Sequence, residues 1–113
     1  MDVRRPLVIS LRVAHLARAL EFWHGRLGIP MKLQGEGFAE LQTDTVLVTL
    51  VERADGPDVT LGWEVGDLDE AERYLASRGI ETTAPLAGPG ASGRRLAFED
   101  PDGHAMEIVN PGE

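Results

Sequence analysis

Val65-Gly66-Asp67-Leu68-Asp69-Glu70-Ala71-Glu72-Arg73-Tyr74, running on to Arg78-Gly79-Ile80, is a second version of an earlier stretch. The first version is Val13-Ala14-His15-Leu16-Ala17-Arg18-Ala19-Leu20-Glu21-Phe22, running on to Leu27-Gly28-Ile29. Val13 and Val65, Leu16 and Leu68, Ala19 and Ala71, and Phe22 and Tyr74 each stand 52 positions apart. Gly28 and Gly79 match after a one-residue deletion.

Each copy reads as a helix. Apolar residues recur at helical spacing at Leu16, Ala19, Leu20, Trp23 and Leu27, and again at Leu68, Ala71, Leu75 and Ala76. Asp67 with Glu70 three positions later is a capping-box-like start. Gly28 and Gly79 stand where a left-handed cap is wanted, and Pro30 keeps the first helix from resuming. A strand precedes each helix, at 7–13 and 58–65. Short strands follow at 31–34, 38–42 and 45–51, and at 81–86, 95–99 and 104–109. Gly35-Glu36-Gly37, Thr43-Asp44, Gly88-Pro89-Gly90 and Asp100-Pro101-Asp102-Gly103 supply turns. The order is therefore β-α-β-β-β twice: module one spans residues 7–53, a linker 54–57, and module two 58–110. Neither module is large enough to bury its helix face alone, so residues 1–113 are expected to fold as one domain. The expected fold class is α+β, with two tandem βαβββ modules forming a curved mixed sheet that leaves a cleft for a ligand.

Composition narrows the function classes. The 113 residues are 42% hydrophobic and 27% charged, an ordinary globular balance. No apolar run is long enough to span a bilayer, and no signal peptide is evident, so no membrane partner is expected. Cysteine is absent, which excludes disulfides, thiolate metal sites and a cysteine nucleophile, and fits a cytoplasmic protein. The net charge is −8. Residues 1–56 carry seven basic and seven acidic groups; residues 57–113 carry four basic and twelve acidic groups. With no basic stripe, nucleic acid is not an expected partner. Electrostatics favour a cationic ligand, although part of the acidity simply accompanies a helix start at Asp67, Asp69, Glu70 and Glu72.

The chain resembles the vicinal oxygen chelate superfamily, which holds glyoxalase I, extradiol dioxygenases, fosfomycin-resistance enzymes and bleomycin-resistance proteins. The residues that carry the resemblance are Leu11-Arg12-Val13-Ala14-His15-Leu16, Phe22-Trp23 with Leu27-Gly28, and Phe98-Glu99-Asp100-Pro101-Asp102-Gly103-His104 with Glu107. It extends over about residues 7–110. Enzymes of this family hold a divalent metal with four side chains, from the first and last strand of each module. The resemblance puts those positions at Val8, Thr49, Thr60 and Glu107. The repeat agrees: Val8 and Thr60 are 52 apart, while Thr49 and Glu107, like Asp44 and Asp102, are 58 apart. Of the four, Glu107 alone is a usual ligand. No metal or other cofactor is therefore expected. His15, His24 and His104 show no two-histidine ligand spacing and read as surface or capping residues.

No phosphate loop followed by Lys and no Gly-x-Ser-x-Gly elbow is present. The glycine-rich stretch 88–93 reads as a flexible loop that could edge the cleft. Strand alternation sorts the walls. Ser10 and Arg12 share a face with Val8, Leu47 and Val51 with Thr49, Gly62 and Glu64 with Thr60, and Ala105 and Val109 with Glu107. The opposite face, Ile9, Leu11, Val13, Val59, Leu61, Trp63, Met106 and Ile108, is apolar and is expected to pack under the helices. Phe38 and Glu40 have two readings. They are either an aromatic and a carboxylate on the cleft wall, suited to a flat cation, or a packing Phe beside a solvated Glu. Glu107 reads as ligand-facing, with Arg12 available as its ion-pair partner.

The expected ligand-binding residues are Glu107, Thr49, Thr60, Val8, Arg12, Phe38, Glu40 and Glu64, and no catalytic residue is assigned. By the same resemblance, the expected protein is a metal-independent small-molecule binder of bleomycin-resistance type. It would be a homodimer sequestering a cationic or aromatic antibiotic. The alternatives are a metal-dependent lyase or dioxygenase, or a metal-free isomerase using Glu107.

Overall fold

The computed structural model describes residues 3–88 and 93–110. β1 (Val3–Val13) leads into α1 (Leu16–Leu20), which continues as a π-helical turn (Glu21–Arg26). β2 (Met31–Gly35), β3 (Phe38–Leu41) and β4 (Leu47–Glu52) complete the first unit. β5 (Val59–Val65), α2 (Leu68–Ser77), β6 (Leu86–Ala87), β7 (Arg94–Glu99) and β8 (Ala105–Asn110) repeat the order. The strands form one curled mixed sheet in the order β2-β3-β4-β1-β5-β8-β7-β6. This is the expected α+β fold.

The register carries the repeat. Ser10 pairs with Thr49 in the parallel β1–β4 ladder, and Gly62 pairs with Glu107 in the parallel β5–β8 ladder. Gly62 is the repeat partner of Ser10, and Glu107 that of Thr49, so the two ladders are one pattern used twice. The modules meet at antiparallel β1–β5, where Val8 opposes Gly62 and Ser10 opposes Thr60. Exchanging the modules turns each of those two pairs into the other.

Both helices end on a left-handed glycine, Gly28 at φ 86° and Gly79 at φ 75°. At α2 the Gly79 amide donates to the Ala76 carbonyl and the Ile80 amide to the Leu75 carbonyl. This is a regular glycine cap that satisfies the last carbonyls. The first helix holds one residue more. It absorbs it as a wider turn, with Leu27 N donating to Phe22 O and Ile29 N to Trp23 O. The extra residue rotates Leu27 off the buried face. Leu27 is 55% exposed, against expectation, and Ile29 packs on the core instead. Ala76 is likewise exposed.

The helix starts differ too. Asp67 Oδ1 accepts from the Glu70 amide, as its spacing predicts. His15 makes no capping bond at α1; the Leu16 amide donates instead to Glu52 Oε2, on the neighbouring strand, at 2.7 Å.

Two core clusters lie between sheet and helices. Leu16, Ala39, Leu41 and Leu50, with Trp23 beside them, form one under α1. Val65, Leu68, Ala71, Leu75, Leu96 and Ile108, with Trp63, form the other under α2. The expectation that the whole apolar face is covered fails at the centre. Val59 is 51% and Leu61 38% exposed. α1 packs mainly on β4, and α2 on β7 and β8; the Trp63–Val65 end of β5 joins the cluster under α2, while Val59 and Leu61 stay exposed.

The strand expected over 81–86 shrinks to Leu86–Ala87. Pro85 has no amide to give a ladder. Thr83 substitutes a local contact, its amide donating to Ala97 O and its hydroxyl accepting from Ala97 N. Most of the expected loop at 88–93 lies outside the described residues.

Candidate functional site

The sheet face turned away from the helices carries the site. β1 contributes Val8 and Ser10, β4 Leu47, Thr49 and Val51, and β3 Glu40. Together with Glu64, Arg95, Glu107, Val109 and Arg53 they line one cavity of about 30 Å³, roughly the space of two waters. An adjoining hollow of about 20 Å³ is bordered by Ser10, Arg12, Arg53, Thr60 and Glu107. Of the eight expected residues, Val8, Glu40, Thr49, Glu64 and Glu107 meet at the first cavity, and Arg12 and Thr60 reach its neighbour. Strand alternation placed them there, because a β-strand turns every second side chain to one face.

Glu107 is the centre of this face. It is 5% exposed, the one buried carboxylate among the described residues. Its flanking pair partners are Gly62 on β5 and Ala97 on β7, both small enough to leave it room. The Ser10 hydroxyl donates to Glu107 Oε1 at 3.0 Å, and Arg95 lies 3.8 Å from Oε2. A buried carboxylate needs such partners, since desolvating a charge without them is costly.

Arg12 does not serve Glu107, contrary to expectation. Its guanidinium pairs with Asp58 Oδ1 at 2.6 Å, and its backbone amide donates to Asp58 O. The antiparallel register runs Ser10–Thr60, then Leu11–Val59, so Arg12 arrives at Asp58 and leaves Glu107 behind. The Arg12 Nε is buried without a partner. Phe38 is also displaced from the cavity. Its ring lies across Gly35, where an added Cβ would sit 2.1 Å from it. The packing reading of Phe38 is the one the structure supports.

Sequence reasoning missed Arg95 and Arg53. Arg95 was legible: Leu96 is fully buried in the core, so Arg95 and Ala97 must face the other way. Arg53 shares parity with Thr49 and Val51 but was assigned to the linker boundary. The Arg95 guanidinium is held below its ordinary pKa, first by burial and next by repulsion from Arg53, while Glu107 pulls in the opposite direction. The cavity therefore does not mirror the acidity of the whole chain.

These residues do not suit a divalent metal. Val8 donates nothing, the threonines are weak donors, and Glu107 already serves Ser10 and Arg95. Two guanidinium groups line the same cavity, where a dication would have to sit.

The exposed turn after β7 is a separate network. Asp100 Oδ1 accepts from the amides of Asp102 and His104, and the His104 ring contacts Oδ2 at 2.7 Å. These bonds, led by the His104 amide, hold the Asp100 carboxyl below its ordinary range. Asp100, Asp102 and His104 lie within 4.8 Å of one another, but the turn itself engages Asp100. A larger concavity, about 510 Å³, runs along α1 past His15, Arg18, Phe22 and Arg26. Those side chains are all exposed, so no desolvated chemistry is found there.

A curled sheet of paired βαβββ units with a polar cluster at its centre defines a class, and the family comparison agrees. Residues 5–108 match the model of the Glyoxalase/Bleomycin resistance protein/Dioxygenase superfamily. The chain belongs to that superfamily. Among solved structures, it is similar to a Legionella pneumophila protein described as an NAD-dependent benzaldehyde dehydrogenase. The TM-score is 0.78 and identity 20%, covering 95% of this chain and 100% of the other. It is similar to methylmalonyl-CoA epimerase from Mycobacterium tuberculosis at TM-score 0.69 and 22% identity, covering 100% and 94%. A superfamily member from Vibrio splendidus 12B01 gives 0.63 and 20%, covering 92% and 97%. At these identities the likeness concerns the fold. Among the described residues no helix is long and apolar enough to cross a membrane.

Proposed function

We propose that this chain is a metal-independent small-molecule binding protein whose ligand docks on the concave sheet face above Glu107. The observation that carries the reading is the state of Glu107, which is engaged by Ser10 and Arg95 instead of standing among metal donors. Val8, Leu47, Val51 and Val109 add apolar wall around that polar centre, the mixture ligand sites favour.

Sequestration of an antibiotic, implied by the resemblance to bleomycin-resistance proteins, is one form such binding would take. A drug-sized ligand needs several hundred Å³, and the cavity within one chain is about 30 Å³. A homodimer that closes a second surface over the ligand is therefore part of the proposal. A cationic ligand would have to be met by Glu40, because the charge of Glu107 is already answered by Arg95.

The competing reading is a metal-free isomerase, favoured by the burial of Glu107 in a polar cavity. The test is elemental analysis after incubation with nickel, zinc, manganese and ferrous iron, followed by ligand screening through tryptophan fluorescence. Binding without stoichiometric metal supports the proposal; about one metal per chain refutes it. Turnover of a bound ligand, abolished in E107Q, would give the isomerase reading the lead. Light scattering that finds monomer alone at micromolar concentration would remove the dimer.

A further inference from the structure

Arg53, just past the end of β4, and Arg95, on β7, reach the same cavity beside Glu40, Glu64 and Glu107; Glu107 answers Arg95, and Arg53 pairs with none of the three. Arg53 makes no ion pair and no side-chain hydrogen bond among the described residues. Arg95 has Glu107 at 3.8 Å, beyond hydrogen-bond range, and that carboxylate also takes the Ser10 hydroxyl. The Arg95 Nε donates to the Ala87 carbonyl at 3.2 Å, which anchors the side chain and leaves its terminal nitrogens to the cavity side. Arg12 borders the adjoining hollow with Arg53, and its buried Nε has no partner. Buried donors in native proteins are seldom left unpaired, so an orphan of this kind points to a missing acceptor. Glu40, on the β3 wall, pairs with neither Arg53 nor Arg95 in the structure.

We infer that the ligand carries a carboxylate that sits between Arg53 and Arg95, with an apolar body against Val8, Leu47, Val51 and Val109. This rests on the reading of the concave face as a metal-free binding site. The guanidinium fork matches a carboxylate with two parallel bonds, and charge assistance makes such bonds stronger than neutral ones. An anion also relieves the repulsion between the two arginines, a gain a neutral ligand would not have. The small cavity accepts a carboxylate group and leaves the remainder of the ligand to extend over the half-buried Leu47 and Val51.

Benzoate and benzamidinium have the same flat shape and opposite charge, which separates the alternatives. Each is titrated into the full-length protein while the arginine side-chain N–H signals are followed by NMR. Benzoate should shift the Arg53 and Arg95 signals saturably, and benzamidinium should not. R53Q should raise the benzoate Kd about tenfold or more. R95Q could unfold the chain by stranding Glu107, so the charge-balanced R95Q/E107Q is used, with the same weakening expected. No saturable shift with benzoate, or an unchanged Kd in both variants, overturns the inference. Binding of benzamidinium alone also overturns it while leaving metal-free binding intact. Benzoate binding that appears only after Mn²⁺ is added overturns the underlying reading together with it.

Discussion

Gly62→Ala is the most informative single perturbation, because it tests the fold and the site through one atom. A Cβ on Gly62 would lie 2.6 Å from Glu107 Cγ and 2.8 Å from the Glu107 carbonyl oxygen. The side chain could swing away, but the carbonyl belongs to the parallel β5–β8 ladder and cannot. Overpacking of this kind costs about 1–3 kcal/mol. Pushing Glu107 aside also weakens its bond to Ser10, and a bond to a charged group is worth about 1.5–3 kcal/mol. Alanine restricts the unfolded chain and returns about 0.5–1 kcal/mol. The net expectation is a loss of about 2–4 kcal/mol, or a Tm lower by about 8–16 °C in a domain of this size. Urea denaturation, with Gly25→Ala as a control, measures it. Nothing lies within 4 Å of a Cβ at Gly25, so alanine there should raise stability by about 0.5–1 kcal/mol. If G62A unfolds within about 0.5 kcal/mol of the parent, the close approach of Gly62 to Glu107 is wrong, and so is the geometry built on it.

Three further outcomes are expected. In a double-mutant cycle, E107Q and R95Q should each destabilise by about 1–4 kcal/mol, and the double variant by less than their sum, because removing both charges strands neither; strict additivity would refute the contact. E52A should cost about 1 kcal/mol by uncapping α1 and D67A about as much at α2, while H15A should be neutral; a costly H15A in thermal melts would contradict the cap assignment. Asp100 has its folded-state pKa depressed below the ordinary 3.8, so its stabilisation is whole above that value and is lost as pH falls through the folded value. The stability gap between the parent and D100N should therefore be constant near neutrality and close in acid; a gap that ignores pH would refute the turn network.

The repeat was visible in the chain because helix and strand periods are local properties. Leu68, Ala71 and Leu75 mark a buried face by spacing alone, and Gly79 must cap because the left-handed conformation suits it better than any other residue. The family resemblance set Val8, Thr49 and Glu107 at one site, and alternation added their strand neighbours, such as Ser10, Val51 and Val109, before any strand was paired. Even the one-residue mismatch between the copies was present, at Gly28 and Gly79.

What that mismatch does was decided in three dimensions: the surplus residue became a π-helical turn that moved Leu27 into solvent. Partner choice was equally out of reach. Arg12 was the candidate partner for Glu107 by charge, but the β1–β5 register gave Arg12 to Asp58 and left Glu107 to Arg95. Arg53 stood at the very end of the first module, beyond the residues assigned to the cleft wall, and the curled sheet brings it to the cavity. Exposure of Val59 and Leu61 followed from where the helices came to rest, since an apolar strand face is buried only if another element covers it. Periodicity states which side of an element a residue occupies. Which residue it meets there depends on register and curvature, which arise from contacts between segments far apart in the chain.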